Sequence, residues 1–165
     1  MNEDWEHRIA TAWAEFDAYG EARAEEFRAR IAELTDELPP DSPLAPFERA
    51  CAYDSTGHSD KAVPLYREAL ERGISGYRRR RTVIQLASSL RNTGHVDEGI
   101  ALLTPELDAP SDELDDAVRA TLALCLADVG RAREGVGLAV GALARHLPRY
   151  QRSMAAYARR LRADG

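Results

Sequence analysis

Glycines recur along this chain at nearly equal intervals, and that spacing limits the folds open to it. Gly20, Gly57, Gly94 and Gly130 are separated by 37, 37 and 36 residues. Three of them share a local context, STGHSDKA, NTGHVDEG and DVGRAREG. Self-similarity at a period of roughly 20–50 residues marks an array of stacked supersecondary units. A glycine can take the left-handed conformation that ends one helix and leads into the next. Each period therefore reads as helix, turn, helix.

The apolar spacing around the glycines fits that unit. Ala50 and Tyr53 precede Gly57, and Ala62, Tyr66, Ala69 and Leu70 follow it. Val83, Leu86, Ala87 and Leu90 precede Gly94, with Ile100, Leu103 and Leu107 beyond. Leu122, Ala123 and Leu126 precede Gly130, with Val136, Leu143 and Leu147 beyond. Steps of three and four place these side chains on one face of each helix. Composition agrees: 28 Ala and 18 Leu stand against 7 Val and 5 Ile, and β-branched residues are the poorer helix formers. Upstream, Trp5, Ile9, Trp13 and Phe16 form one stripe and Phe27, Ile31, Leu34 and Leu38 another. Pro39, Pro40 and Pro43 end that pair. Pro148 opens a last helix bearing Tyr150, Met154, Tyr157 and Leu161. The next turn glycine is expected beyond it, leaving that helix without a hairpin partner, as at the closed end of a solenoid.

These motifs resemble the tetratricopeptide repeat, in which small residues at fixed positions of paired helices alternate with large ones. Residues 43–75 match through Ala50, Tyr53, Ala62, Tyr66 and Ala69. Residues 80–110 keep Leu86 and Ala87 but carry Gly99 and Glu106 where Ala is usual. Residues 116–148 keep Leu122, Ala123 and Ala142, with Gly135 in place of Ala. Residues 1–40 read as a divergent capping hairpin, since Trp13 stands where the repeat wants a small residue, and residues 149–163 as a closing helix. AYDSTG, PLYREAL, IQLASSLRNTG and the Tyr-bearing last helix are also similar to a family of small bacterial tetratricopeptide proteins whose role is unsettled. The resemblance implies one all-α domain, a right-handed α-α superhelix whose concave groove binds protein segments.

Other classes are excluded or lack support. No apolar run approaches the ~18 residues of a membrane span, and MNEDWEHR lacks the basic start of a secretory leader. A cytoplasmic location is expected, with Cys51 and Cys125 as free thiols. The net charge of -6 gives no global basic field for nucleic acid. Charge is polarised, with residues 1–46 at -8 and residues 144–165 at +5. Opposed ends of this kind are compatible with a homodimer or with steering of a partner. The sequence has no phosphate-binding glycine loop, HExxH or GxSxG, so no catalytic residue and no cofactor is expected. His58 and His95 follow the turn glycines, but no third ligand is spaced for zinc. Ser111 followed by Asp112 and Glu113 reads as a helix cap.

The groove residues that the resemblance selects are Phe47 as an apolar anchor and Arg81, Gln85, Ser88, Arg91 and Asn92 as a polar cluster. Arg81, Gln85, Ser88 and Asn92 step by four, three and four, so they share a helix face. Guanidinium forks beside amides suit carboxylates, phosphates or peptide backbone. Two readings stay open for the arginines: pairing with Glu48 and Asp54, or binding an outside ligand. The carboxylate clamp of chaperone-binding relatives is excluded, because its positions carry Phe47, Cys51, Gln85, Ala117 and Thr121. Four cations at Arg78–Arg81 oppose a helix dipole, so either an acidic partner or nearby carboxylates are expected there. The function read from this is a non-catalytic adaptor for a protein segment. The alternatives are a regulatory module sensing a small anion, or an accessory subunit of a bacterial pathway.

Overall fold

A computed structural model describes residues 3–163. They are helical, with no strand among them. The chain divides into two compact units, one through Thr82 and one from Val83.

The first unit opens with α1 (Glu3–Ala14), the short α2 (Phe16–Tyr19), a 3-10 turn at Glu21–Arg23 and α3 (Ala24–Asp36). Trp5, Ile9 and Ala12 of α1 are buried with Phe27, Ile31 and Leu34 of α3. The Trp5 indole N–H donates to the Leu34 carbonyl at 2.7 Å, which satisfies its polar atom inside an apolar cluster. Trp13 keeps its size by leaving the small-residue role: it stacks edge-on against Phe27, 5.0 Å between ring centroids. Next come α4 (Leu44–Ser55) and α5 (Ser59–Glu71), joined by the Gly57 turn, and then the start of α6 (Gly76–Asn92). Helix α6 begins four residues before the expected repeat boundary at Arg80, so Arg78–Arg81 lie within its first turns.

The second unit holds the rest of α6, α7 (Val96–Leu103), a 3-10 turn at Thr104–Leu107, α8 (Asp115–Asp128), α9 (Ala132–Ala144) and α10 (Gln151–Ala163). Ser111 does not cap α8. Its hydroxyl donates to Asp115 Oδ2 at 2.7 Å, while the Leu114 N–H donates to Asp112 Oδ1 at 2.7 Å. The acids intended for the first turn instead close the preceding loop. Tyr150 enters α10 at φ 69°, a conformation that carries strain for any residue with a Cβ.

The repeated glycines perform one backbone task three times. Gly57, Gly94 and Gly130 sit at φ 80°, 83° and 81°. The N–H of the next residue donates to the carbonyl five residues earlier: His58 to Tyr53, His95 to Leu90 and Arg131 to Leu126, at 2.9, 2.8 and 2.8 Å. That is the six-to-one bond of a Schellman turn. Gly20 differs, pairing φ 60° with an extended ψ of -176°, as befits the divergent first hairpin.

Gly99 and Gly135, which read as departures from the repeat, have a steric reason. A Cβ on Gly135 would stand 2.6 Å from the Ala123 carbonyl oxygen, and one on Gly99 would stand 3.0 Å from that of Ala87. In these two hairpins the backbones approach too closely for the usual alanine.

Candidate functional site

The first unit contains a cavity of about 810 Å³ built from three separate stretches of chain. Helix α1 supplies Trp5 and Arg8. The segment from Glu37 to Leu44 supplies Leu38, Pro39 and Pro43. The stretch from Gly73 to Arg81 supplies Ile74, Tyr77, Arg78 and Arg81. The proline-rich bend that ends the first hairpin therefore forms one wall, since a chain that cannot continue as helix leaves space beside the helix ends. Tyr77 is 47 % exposed and offers an aromatic face at the opening.

The cavity's arginines are not equivalent. Arg8 grips Glu37 with both terminal nitrogens, at 2.7 and 2.5 Å. Arg78 pairs with Glu6 at 2.5 Å. The Arg81 guanidinium lies over the Phe47 ring, 5.2 Å from its centroid, a geometry that favours a partly desolvated cation. The rim therefore combines two neutralised arginines with a third set on an aromatic base.

Phe47 corrects an expectation. It is fully buried, so its ring cannot anchor a partner and instead supports Arg81. Beneath it Glu48 is also buried and accepts the Trp13 indole N–H at 2.7 Å. Burial pushes the Glu48 carboxyl above its ordinary range, against that hydrogen bond and the nearby charges of Arg78 and Arg81. The other carboxylate considered for the arginines, Asp54, accepts from Ser59 Oγ at 3.3 Å and from the Tyr66 hydroxyl at 3.4 Å.

The remaining expected site residues lie in the second unit. Arg91 pairs with Asp128 of α8, Nε to Oδ2 at 2.6 Å and Nη2 to Oδ1 at 3.2 Å. The carboxylate that holds it thus comes from the third repeat, and not from Glu48 or Asp54. Gln85 and Ser88 are half-buried and Asn92 is exposed. His58 Nδ1 lies 2.7 Å from the Thr56 carbonyl oxygen and His95 Nδ1 lies 3.3 Å from Thr93 Oγ1; both rings are held within their own turns. Cys51 and Cys125 are buried free thiols, and burial raises the Cys125 thiol's pKa. The sequence reading did not select Trp5, Leu38, Pro43 or Tyr77, which line this candidate cleft. The sequence signals near them were the proline cluster at residues 39–43 and, far along the chain, the Arg78–Arg81 run.

No helix among the described residues is long and apolar enough to cross a membrane. No curated protein matches the chain. The chain is similar to the crystal structure of YrrB, described as a TPR protein with an unusual peptide-binding site. The two share 16% identity over 95% of this chain and 86% of that one, with a TM-score of 0.54, a likeness of fold. The family model described as Tetratrico peptide repeat matches residues 43–161, most of the sequence. With its glycine-turned hairpins, the chain belongs to the tetratricopeptide repeat family.

Proposed function

We propose that this protein is a non-catalytic, cytoplasmic adaptor that binds an extended protein segment in the cleft of its first unit. The carrying observation is the mixed character of that cleft: an apolar, proline- and aromatic-lined recess of about 810 Å³ with Arg81 at its edge. Ligand sites are concave and mostly apolar, with a few placed polar groups that fix orientation. The segment it suits carries an aliphatic or aromatic side chain for the recess and an adjacent carboxylate for Arg81. In the second unit, Gln85, Ser88 and Asn92 are assigned as a separate contact surface, with Arg91 held ready by Asp128.

Selection from a random peptide library displayed on phage tests this reading. Selected peptides are expected to pair an acidic residue with a large apolar one. They should lose binding to Arg81→Ala and Tyr77→Ala proteins and keep it with Arg152→Ala. Peptides that bind Arg81→Ala and Tyr77→Ala as well as the unaltered protein contradict the cleft assignment.

A second reading, head-to-tail self-association, is favoured by the exposed Tyr150, just before α10, and Met154 and Tyr157 on it, beside its arginines. The acidic first 46 residues of another copy are their complement. Sedimentation at low and high salt tests it: an assembly held by these charges dissociates as salt screens them. A monomer at low salt removes the reading.

A further inference from the structure

We infer that the second unit carries a binding site for a phosphate monoester group, in the recess where α8, α9 and α10 meet. The recess has a volume of about 250 Å³ and is lined by Arg119, Arg145, Arg159 and Arg162 with the single carboxylate Asp116. Asp115, behind the wall, also pairs with Arg119 at 3.8 Å, so four guanidinium groups against two carboxylates leave an excess of two positive charges.

Asp116 organises half of the set. It accepts from Arg119 Nη1 at 3.2 Å and from Arg145 Nε at 2.9 Å, and His146 Nε2 lies 2.8 Å from its Oδ2. Although its partial burial works the other way, the hydrogen bonds from His146 and Arg145 hold the Asp116 carboxyl below its ordinary range. It therefore stays ionised and keeps Arg119 and Arg145 in place. Arg159 and Arg162 differ, because among the described residues no carboxylate pairs with either. Both are exposed, so an incoming anion reaches them without displacing any carboxylate of the described residues.

Two glycines set the depth of the recess. A Cβ on Gly137 would stand 2.8 Å from Arg162 Cγ, and one on Gly141 would stand 3.6 Å from Ala158 Cβ. The stem of Arg162 thus lies on bare α9 backbone, which fixes where its guanidinium begins. Leu138, Ala155 and Ala158 add apolar wall. A carboxylate fits one guanidinium fork. A phosphate monoester brings close to two charges and three strong acceptor oxygens, and so matches two exposed arginines backed by two positioned ones. The volume falls below the ~300–1,000 Å³ typical of pockets that enclose a whole drug-sized ligand. It encloses a head group, and the rest of a larger ligand lies outside it. The site is independent of the cleft in the first unit.

Calorimetric titration of the full chain at fixed ionic strength tests the assignment, with inorganic phosphate, end-capped phosphoserine and acetate as probes. The expected result is saturable binding of phosphate or phosphoserine over acetate. It should weaken by about tenfold, near 1.4 kcal/mol, in Arg159→Gln and in Arg162→Gln, and stay unchanged in Arg152→Gln on the same helix. Tighter binding of phosphoserine than of phosphate identifies a phosphorylated partner side chain as the source, and the reverse identifies a free anion. Unchanged circular dichroism of the variants separates lost binding from lost fold. No binding by the unaltered protein, or equal binding by all three variants, overturns the site.

Discussion

A short series of glycine substitutions in one hairpin and its neighbour should change sign along a single helix. Replacing an interior helical glycine with alanine is worth about 1 kcal/mol in backbone propensity where space allows. At Gly141 it does: the added Cβ meets only Ala158 Cβ, at 3.6 Å, an ordinary contact. Gly141→Ala should therefore stabilise the fold by about 0.5–1 kcal/mol. At Gly135 the same methyl group would stand 2.6 Å from the Ala123 carbonyl oxygen and 3.4 Å from its carbon. Both are backbone atoms, so no side-chain rotation relieves them and α8 and α9 must separate. Overpacking of this kind costs about 1–3 kcal/mol. Parting a helix pair loses contacts along its length, which puts the cost at the upper end. After the propensity gain, Gly135→Ala should be less stable by about 2 kcal/mol. Gly99→Ala, with its contact at 3.0 Å, belongs between the two. Urea unfolding followed by circular dichroism reads the series, with an unchanged slope confirming that the midpoint reports stability. A Gly135→Ala protein as stable as Gly141→Ala would refute the close-approach explanation of these residues.

Two other perturbations follow from buried or strained groups. Because the Glu48 carboxyl is raised from 4.5 by burial, the native state binds more protons than the unfolded chain just above that value. Its contribution to stability is present below pH 4.5 and is lost as pH rises through the folded value, with a slope of at most about 1.4 kcal/mol per pH unit. Glu48→Gln still accepts from Trp13, so it should be more stable than the unaltered protein at neutral pH, with the difference vanishing toward pH 4. A Glu48→Gln protein with the same pH profile as the unaltered one contradicts the assignment. Tyr150→Gly should relieve the left-handed backbone at φ 69° and raise stability by about 1 kcal/mol. A loss instead would show that the Tyr150 ring contributes more to stability than its backbone strain costs.

The hairpins were legible in the sequence because their signals are local. A turn glycine, its neighbours and apolar steps of three and four all lie within one period, and the Schellman bonds at His58, His95 and Arg131 follow from those few residues. The cleft was not legible, because Trp5, Leu38, Pro43 and Tyr77 come from distant segments that only packing brings together. Arg81 was expected at a groove position that the resemblance selects, yet its setting over the buried Phe47 ring was not. Periodicity places a residue on a helix face to within a fraction of a turn, and that margin separates an exposed ring from a buried one at Phe47. The partner of Arg91 was missed for a related reason. Asp128 lies 37 residues away, one repeat along, where an acid of the next unit can reach back. Gly99 and Gly135 read as decay of the pattern in the sequence, because the close helix approach that excludes a Cβ is set by packing between helices.

Trp5 lines the cleft, whereas Trp13 donates to the buried Glu48, so the chain's two indoles report from different places. A nuclear magnetic resonance titration of the isotope-labelled full chain with a library-selected peptide reads both N–H signals and the Arg81 side chain at once. Peptide binding in the cleft predicts saturable shifts of the Trp5 indole and Arg81 Nε that follow one binding curve. A peptide that binds with equal affinity while Trp5 and Arg81 stay unmoved would contradict it.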